Sequence, residues 1–447
     1  MKITVSKENY LKAIHRLKQE ALNNSQVMDT LFNFTEVIGA RVTGSPAHKA
    51  AADYAVKRLQ EHGATAKLEK YEFGRGWSYS HFDMHMTEPA AATIIGYPLA
   101  WTPGTNGTVN GEVMFAPITS PADFGRFKGK LRDKIILMER PRELALPVTA
   151  LAKRYNQQEL EEMEMAAAMS GVRGPGEPAG GPPMALPLAP GEERPTSPDG
   201  IRGVMQRFRD RRNQFLKDEG VLLTLSAGTK GEGGTVFGTS GGSQDPKSVT
   251  PPPMAAIASE HYNRLHRLLT NKIPVKVEFN IKSQFHEDTK DSFNVIGEIA
   301  GTGKNKDEYV MIGAHLDSWH GGTGATDNAA SCAAMIETMR VLKASGVALN
   351  RSVKIGLWSG EEQGLLGSRA WVKEHLADRD TMQLTKEHSR ISAYFNIDNG
   401  VGKIRGIYTQ GNEMVKPIFE QWFTPFKDLG GAMHVTGRNT GSTDHVS

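Results

Sequence analysis

The sequence predicts an α/β fold: a mainly parallel mixed sheet flanked by helices, carrying an inserted β-rich domain. Three observations carry this. From Phe293 onward, short apolar runs alternate with stretches of helical period, which is the pattern of a helix-covered sheet. Between about residues 86 and 287 the texture changes to short strands set among prolines and glycines. Acidic and imidazole side chains stand where the later strands stop, and in open α/β sheets ligands bind at the carboxyl ends of strands.

In chain order, residues 1–85 read as the first part of the main domain. Ser6–Leu22, Ser25–Phe34 and Ser45–His62 have helical period. The last opens on Ser45-Pro46, a capping residue followed by proline at the first helical position. Leu68–Phe73 reads as a strand. Residues 86–287 form the insert, with strands expected at Thr93–Ile95, Gly111–Phe115, Lys134–Met138, Val221–Ser226 and Val275–Phe285. Helices are expected there at Arg202–Gly220 and Ser259–Asn271. Residues 157–200 begin helix-like and become a low-complexity run of Met, Ala, Gly and Pro, whose second half reads as a mobile surface insertion. Residues 288–447 complete the main domain. Its strands are Asn294–Ile299, Tyr309–Ala314, Ser352–Ser359, Ile391–Ile397 and Lys403–Tyr408, and its helices Ala329–Lys343, Gly364–Glu374 and Glu413–Phe426. Thr326 or Asp327 is the expected cap of the first of these helices.

Composition narrows the function classes. The 447 residues have room for two domains, and 38% hydrophobic with 23% charged residues suits an ordinary folded chain. A net charge of +3 gives no electrostatic case for nucleic acid. No apolar run reaches the length of a membrane span. Cys332 is the single cysteine, so no internal disulfide forms, and inside a predicted helix it reads as a buried, inert thiol. Met1 to Gln19 has no apolar core of signal-peptide length. The sequence stops two residues after His445, where a domain seldom ends, so truncation is expected.

The candidate site gathers His315, Asp327, Glu362, Asp398 and His445. Two imidazoles and three carboxylates suit Zn²⁺, and Mn²⁺ or Co²⁺ also fit such donors. Five ligands are too many for one catalytic zinc and right for two metals sharing a bridging carboxylate. Neighbouring Glu361 and Glu362 point in different directions, so one can bind metal while the other acts as general base. Asp317, two residues after His315, returns to the same side of an extended backbone, where it could accept the second imidazole N–H. Other motifs fail. His286-Glu287 lacks the second histidine of H-E-x-x-H, since Lys290 stands there. Gly238-Thr-Ser240-Gly-Gly242 is followed by a proline-rich loop and not by the helix of a nucleophile elbow. Gly301-Thr-Gly303 has no third glycine in register. His320, His375, His388 and His434 read as surface or supporting residues, with His320 alone lying in the site loop.

The blocks AHLDSWHGGTGATDNAAS, WSGEEQGLLGS, FNIDNG and GSTDH resemble the metal-binding blocks of the M28 zinc peptidases. The resemblance is strong over roughly 290–447 and covers 1–85 in layout. The twelve-residue step from His315 to Asp327 and the phrase LDSW look closest to the carboxypeptidase Q-like (plasma glutamate carboxypeptidase-like) branch, and the insert is similar to a protease-associated domain. The resemblance implies a zinc-exopeptidase, phosphorylase/hydrolase-like fold holding two Zn²⁺ per chain. His315 and His445 would each bind a different zinc, with Asp327 as bridge. Asp398 would share the zinc of His315, and Glu362 that of His445. Glu361 would be the general base and Asp317 the orienting partner, and the Asp327–Asn328 peptide would be cis. Implied too are an aminopeptidase or dipeptidase acting on peptides, a periplasmic or extracellular location, and room for a homodimer. Two alternatives stay open: a carboxypeptidase for acidic C-terminal residues, with Arg438 as candidate clamp, and a non-catalytic, receptor-like binding ectodomain. Family members also continue for several tens of residues past the last histidine.

Overall fold

The computed structural model of the chain describes residues 7–144, 148, 150, 153–167, 186–188, 191–228, 233–398, 402–429, 434–437 and 439–447. The main domain is built on a five-stranded sheet. Its order is Thr65–Glu72, Asp291–Ile299, Ser352–Trp358, Tyr309–His315, Ile391–Asn396. The first two ladders are antiparallel and the last two parallel, so the sheet is mixed and helix-covered. Tyr309–His315 is the second strand from one edge and is buried at every position except Val310, as expected of a strand covered on both faces.

One face is covered by the helices Pro46–Glu61 and Ala330–Ala344. Ala51, Ala55, Leu59, Met335, Ile336 and Met339 pack there against Val295, Ile312 and Ile355, each large side chain contributing roughly 1.5–3 kcal/mol on burial. The small alanines let the first helix approach closely. It starts as the sequence requires: the Ser45 Oγ accepts from the His48 N–H at 3.1 Å. The opposite face is covered by Leu366–His375, whose Trp371 packs with Trp358, Tyr309 and Ile296.

A second, eight-stranded sheet lies in the stretch expected as the insert, in the order Ala92–Thr93, Gly76–Glu88, Lys276–His286, Val109–Phe115, Lys134–Leu137, Leu223–Ser226, Met254–Ile257, Gly96–Pro98. Its longest ladder pairs Gly76–Glu88 with Lys276–His286. The expected boundary at residue 86 therefore falls inside a strand, and the insert's sheet starts at Gly76. The helix Gln157–Ala167 opens the low-complexity segment and docks on the main domain. Glu164 lies 3.0 Å from His434 and 3.5 Å from Lys416. In the second half of 157–200, residues 186–188 and 191–200 are described and Pro198 opens the helix Pro198–Asp218, while the rest lies outside the described residues.

The helix Ala330–Ala344 begins without a side-chain cap, contrary to the expected role of Thr326 or Asp327. Asp327 and Asn328 have non-helical backbone just before it, and their peptide bond is cis. The Asp327 carboxylate turns to His315 and is not available to the helix amides. No helix among the described residues is long and apolar enough to cross a membrane.

Candidate metal centre

His315 is the last residue of its strand and pairs in register with Trp358 of the neighbouring one. This brings the turn after Trp358, with Glu361 and Glu362, to the same sheet end. His315 is buried, and its Nε2 lies 3.0 Å from the Asp327 Oδ1 and 3.5 Å from the Asp398 Oδ1. These three donors lie within 4.8 Å of one another. Asp398 follows the strand on the other side of Tyr309–His315, so adjacent strand ends supply both residues. The His315 Nδ1 stands 3.0 Å from the Asp317 main-chain oxygen and 3.6 Å from its Oδ1. With Nδ1–H donated to that carbonyl, Nε2 keeps its lone pair for a metal. The nearest acceptor for the second imidazole N–H is thus the Asp317 main-chain oxygen, with the expected carboxylate close behind it.

The Asp317 carboxylate instead holds the acidic turn. It is fully buried, accepting the Glu361 N–H on Oδ1 and the Glu362 N–H on Oδ2, both at 3.2 Å. Burial works against its charge, yet the hydrogen bond and charge of His315 keep the carboxyl below its ordinary value. Burial pulls His315 down, yet the Asp317, Asp327 and Asp398 carboxylates that face its ring nitrogens raise it well above its ordinary value.

The acids of the turn go the other way. Burial first, then Asp317, Asp444 and Asp398, push Glu361 up to about 9 against the pull of His315. Burial, then Asp317 and Asp327, push Glu362 up to about 8. Asp444, which sequence reasoning passed over, is buried beside them. Its Oδ1 accepts from the Ser368 hydroxyl at 2.6 Å, and its Oδ2 has no partner among the described residues. Burial, opposed by His315 and reinforced by Asp317 and Asp398, pushes it up to about 7. Its only sequence signal was adjacency to His445.

His445 is not gathered with the others. Its Nε2 lies 2.9 Å from the Thr440 carbonyl and 2.9 Å from the Gln410 side-chain nitrogen. Among the other histidines, His286 bonds Ser78, His375 bridges Glu69 and Glu387, His434 meets Glu164, and His388 sits in a short helical turn. His320 is buried in the insert against Trp77 and Tyr79, bonding the Pro98 carbonyl at 2.6 Å. Cys332 is buried, and its thiol donates to the His315 carbonyl at 3.0 Å, which makes it a support for that strand end. Arg438 lies outside the described residues.

The donor chemistry fits divalent metal. The Asp317, Asp327, Glu361, Glu362, Asp398 and Asp444 carboxylates crowd one sheet end, and the Arg41 guanidinium interacts with Asp317 and Asp327 among them. Such an excess of buried negative charge is stable when a cation neutralises it and otherwise forces protonation. A convergent imidazole nitrogen and two carboxylate oxygens are zinc ligands by type.

Residues 294–447 match the model of Peptidase family M28. Carboxypeptidase Q of Xenopus laevis is 28% identical over 169 residues, which is 37% of this chain and 35% of that protein. Human carboxypeptidase Q is likewise 28% identical over 169 residues, 38% of this chain and 34% of that protein. Leupeptin-inactivating enzyme 1 of Streptomyces exfoliatus is 29% identical over 155 residues, 34% of this chain and 32% of that protein. The matches span about a third of the length of these curated relatives. Among solved structures, a peptidase M28 precursor from Shewanella amazonensis superposes with a TM-score of 0.63 at 21% identity, covering 98% of this chain and 85% of that one. A zinc aminopeptidase from Bacillus subtilis gives a TM-score of 0.53 at 17% identity, covering 98% and 81%. These two likenesses establish a shared fold.

Proposed function

We propose that the chain, whose residues 294–447 match the model of Peptidase family M28, is a co-catalytic dizinc metallo-exopeptidase, an aminopeptidase or dipeptidase acting outside the cytoplasm. The observation that supports it most is the convergence of His315, Asp327 and Asp398 beneath a cluster of uncompensated acids. In this reading His315 and Asp398 would hold one zinc, Glu362 and His445 would hold the other, and Asp327 would be shared by both. When bound, the zinc pair supplies a water of lowered pKa and polarises the scissile carbonyl.

The chain's own residues do the rest. Glu361 takes the proton of the attacking water and passes it to the leaving amine. In the metal-free chain its carboxyl stands near 9. Beside dications it falls back towards neutrality, where a general base operates best. Asp317 fixes the amides of both turn glutamates, so that base and ligand keep their separation. The free α-amine of a peptide can occupy the metal side of the site, which would confine cleavage to chain ends.

The test is metal analysis of the purified chain together with hydrolysis of unblocked dipeptides and aminoacyl anilides, beside Glu361→Ala. The proposal predicts two zinc ions per chain, hydrolysis by the wild type, and a loss of at least roughly a hundredfold in the variant. A wild type that binds no zinc and matches the variant refutes it. The carboxypeptidase alternative predicts release of C-terminal residues from peptides with a blocked amino end, tested by adding such peptides to these assays.

A further inference from the structure

Arg41 lies between the short helical segment Asn33–Ile38 and the helix Pro46–Glu61, far in sequence from every candidate ligand. Its side chain is fully buried. All five of its side-chain hydrogen bonds go to main-chain carbonyls. Nε donates to Leu316 at 2.8 Å, Nη1 to Thr323 at 2.8 Å, Gly39 at 2.8 Å and Phe34 at 3.1 Å, and Nη2 to Gly324 at 2.9 Å. The main chain adds two more: the Arg41 N–H donates to the Ser318 Oγ at 3.0 Å, and the Ser318 N–H to the Arg41 carbonyl at 3.2 Å.

The placement of these bonds matters more than their number. Leu316 follows His315 directly, and Gly324 stands three residues before Asp327. One planar guanidinium therefore grips both roots of the loop that joins the two ligands. Its fork of fixed N–H directions can set a distance that a flexible ammonium cannot. A second observation agrees. Gly324 has a left-handed backbone (φ +61°), and a Cβ there would stand 2.7 Å from the Arg41 Nη2 and 2.4 Å from the Ser318 Cβ. The loop closes on Arg41 with no space to spare. Burying a guanidinium without a directly bonded carboxylate is unfavourable. Burial lowers its pKa, and the nearby Asp317 and Asp327 work against that shift.

We propose that Arg41 is a positioning residue that fixes the spacing of His315 and Asp327 and thereby sets the zinc affinity of the centre. This rests on the metal-centre reading above. A residue that merely stabilised the fold would lower the unfolding midpoint when changed and leave zinc affinity in the folded protein as it was.

The test compares the full chain with Arg41→Lys, which keeps the charge and loses the fork, and with Ser318→Ala, which removes one loop contact. Zinc dissociation constants are measured by chelator competition on protein shown to be folded by circular dichroism, and the visible spectrum is recorded with Co²⁺ in place of zinc. The expected result is zinc binding weakened roughly tenfold or more in Arg41→Lys and by less in Ser318→Ala, with altered Co²⁺ bands. Equal affinities and unchanged bands in a wild type that does bind zinc overturn the role of Arg41 alone. A wild type that binds no zinc overturns the metal centre itself. Should Arg41→Lys fail to fold, Ser318→Ala decides the matter.

Discussion

Replacing Asp317 by Asn probes the element that joins the imidazole loop to the acidic turn. The substitution keeps shape and removes one acceptor. Both carboxylate oxygens are engaged, one by the Glu361 N–H and one by the Glu362 N–H, each at 3.2 Å. An amide has one oxygen, so whichever way it turns its NH₂ faces a main-chain N–H. One buried donor loses its partner, at about 1–3 kcal/mol, and the other bond loses the share that came from the charge. In the zinc-loaded protein this amounts to about 2–3 kcal/mol of local stability, or roughly 30–150-fold faster amide exchange at positions 361 and 362. Zinc affinity and peptide hydrolysis should fall by about 10–100-fold, as is usual when a supporting partner is lost. Hydrogen exchange read by NMR or mass spectrometry reports the first quantity, and chelator competition and initial rates the others. Unchanged exchange at Glu361 and Glu362 together with wild-type hydrolysis would refute the reasoning.

Two further outcomes follow from the same geometry. Glu361, Glu362 and Asp444 are pushed up to about 9, 8 and 7. All three are raised above their unfolded values, so the folded metal-free chain binds more protons than the unfolded one and their contribution is fully present near pH 4. It is lost as pH rises from about 4 to the folded values of about 7, 8 and 9, by up to about 1.4 kcal/mol per pH unit for each carboxyl still below its folded value. Urea titrations should show the metal-free chain less stable at pH 9 than at pH 6, with zinc abolishing the difference. His320→Phe keeps the ring among Trp77 and Tyr79 and removes the bond to the Pro98 carbonyl. Leaving that acceptor unpaired should lower stability by about 1–3 kcal/mol, read as a shifted urea midpoint.

The main domain was legible because its strands are short apolar runs with clear ends. The 309–314 and 352–359 runs appear within a residue of their places, and the register between them puts His315 beside the acidic turn. Gly76–Glu88 was missed because exposed Ser80 and His81 interrupt any alternation along a strand that shifts register there. Met254–Ile257 is fully buried but directly follows three prolines, and no strand is expected there from the sequence. The cap expected from Thr326 or Asp327 failed because the ligand geometry claims Asp327. Arg41 could not be read at all. Its bonds reach a loop about 280 positions away, and no local period encodes such a contact. His445 was singled out by its motif, and its side chain rests on Thr440 and Gln410.

The most direct test of the central claim is a crystal structure of the zinc-soaked chain with anomalous scattering recorded above and below the zinc edge. The account predicts two zinc peaks, one among His315, Asp327 and Asp398 and one among Asp327, Glu362 and His445, with the His445 ring released from Thr440. A map with no peak at this sheet end, or with a single peak that leaves Glu362 and His445 uncoordinated, would contradict it.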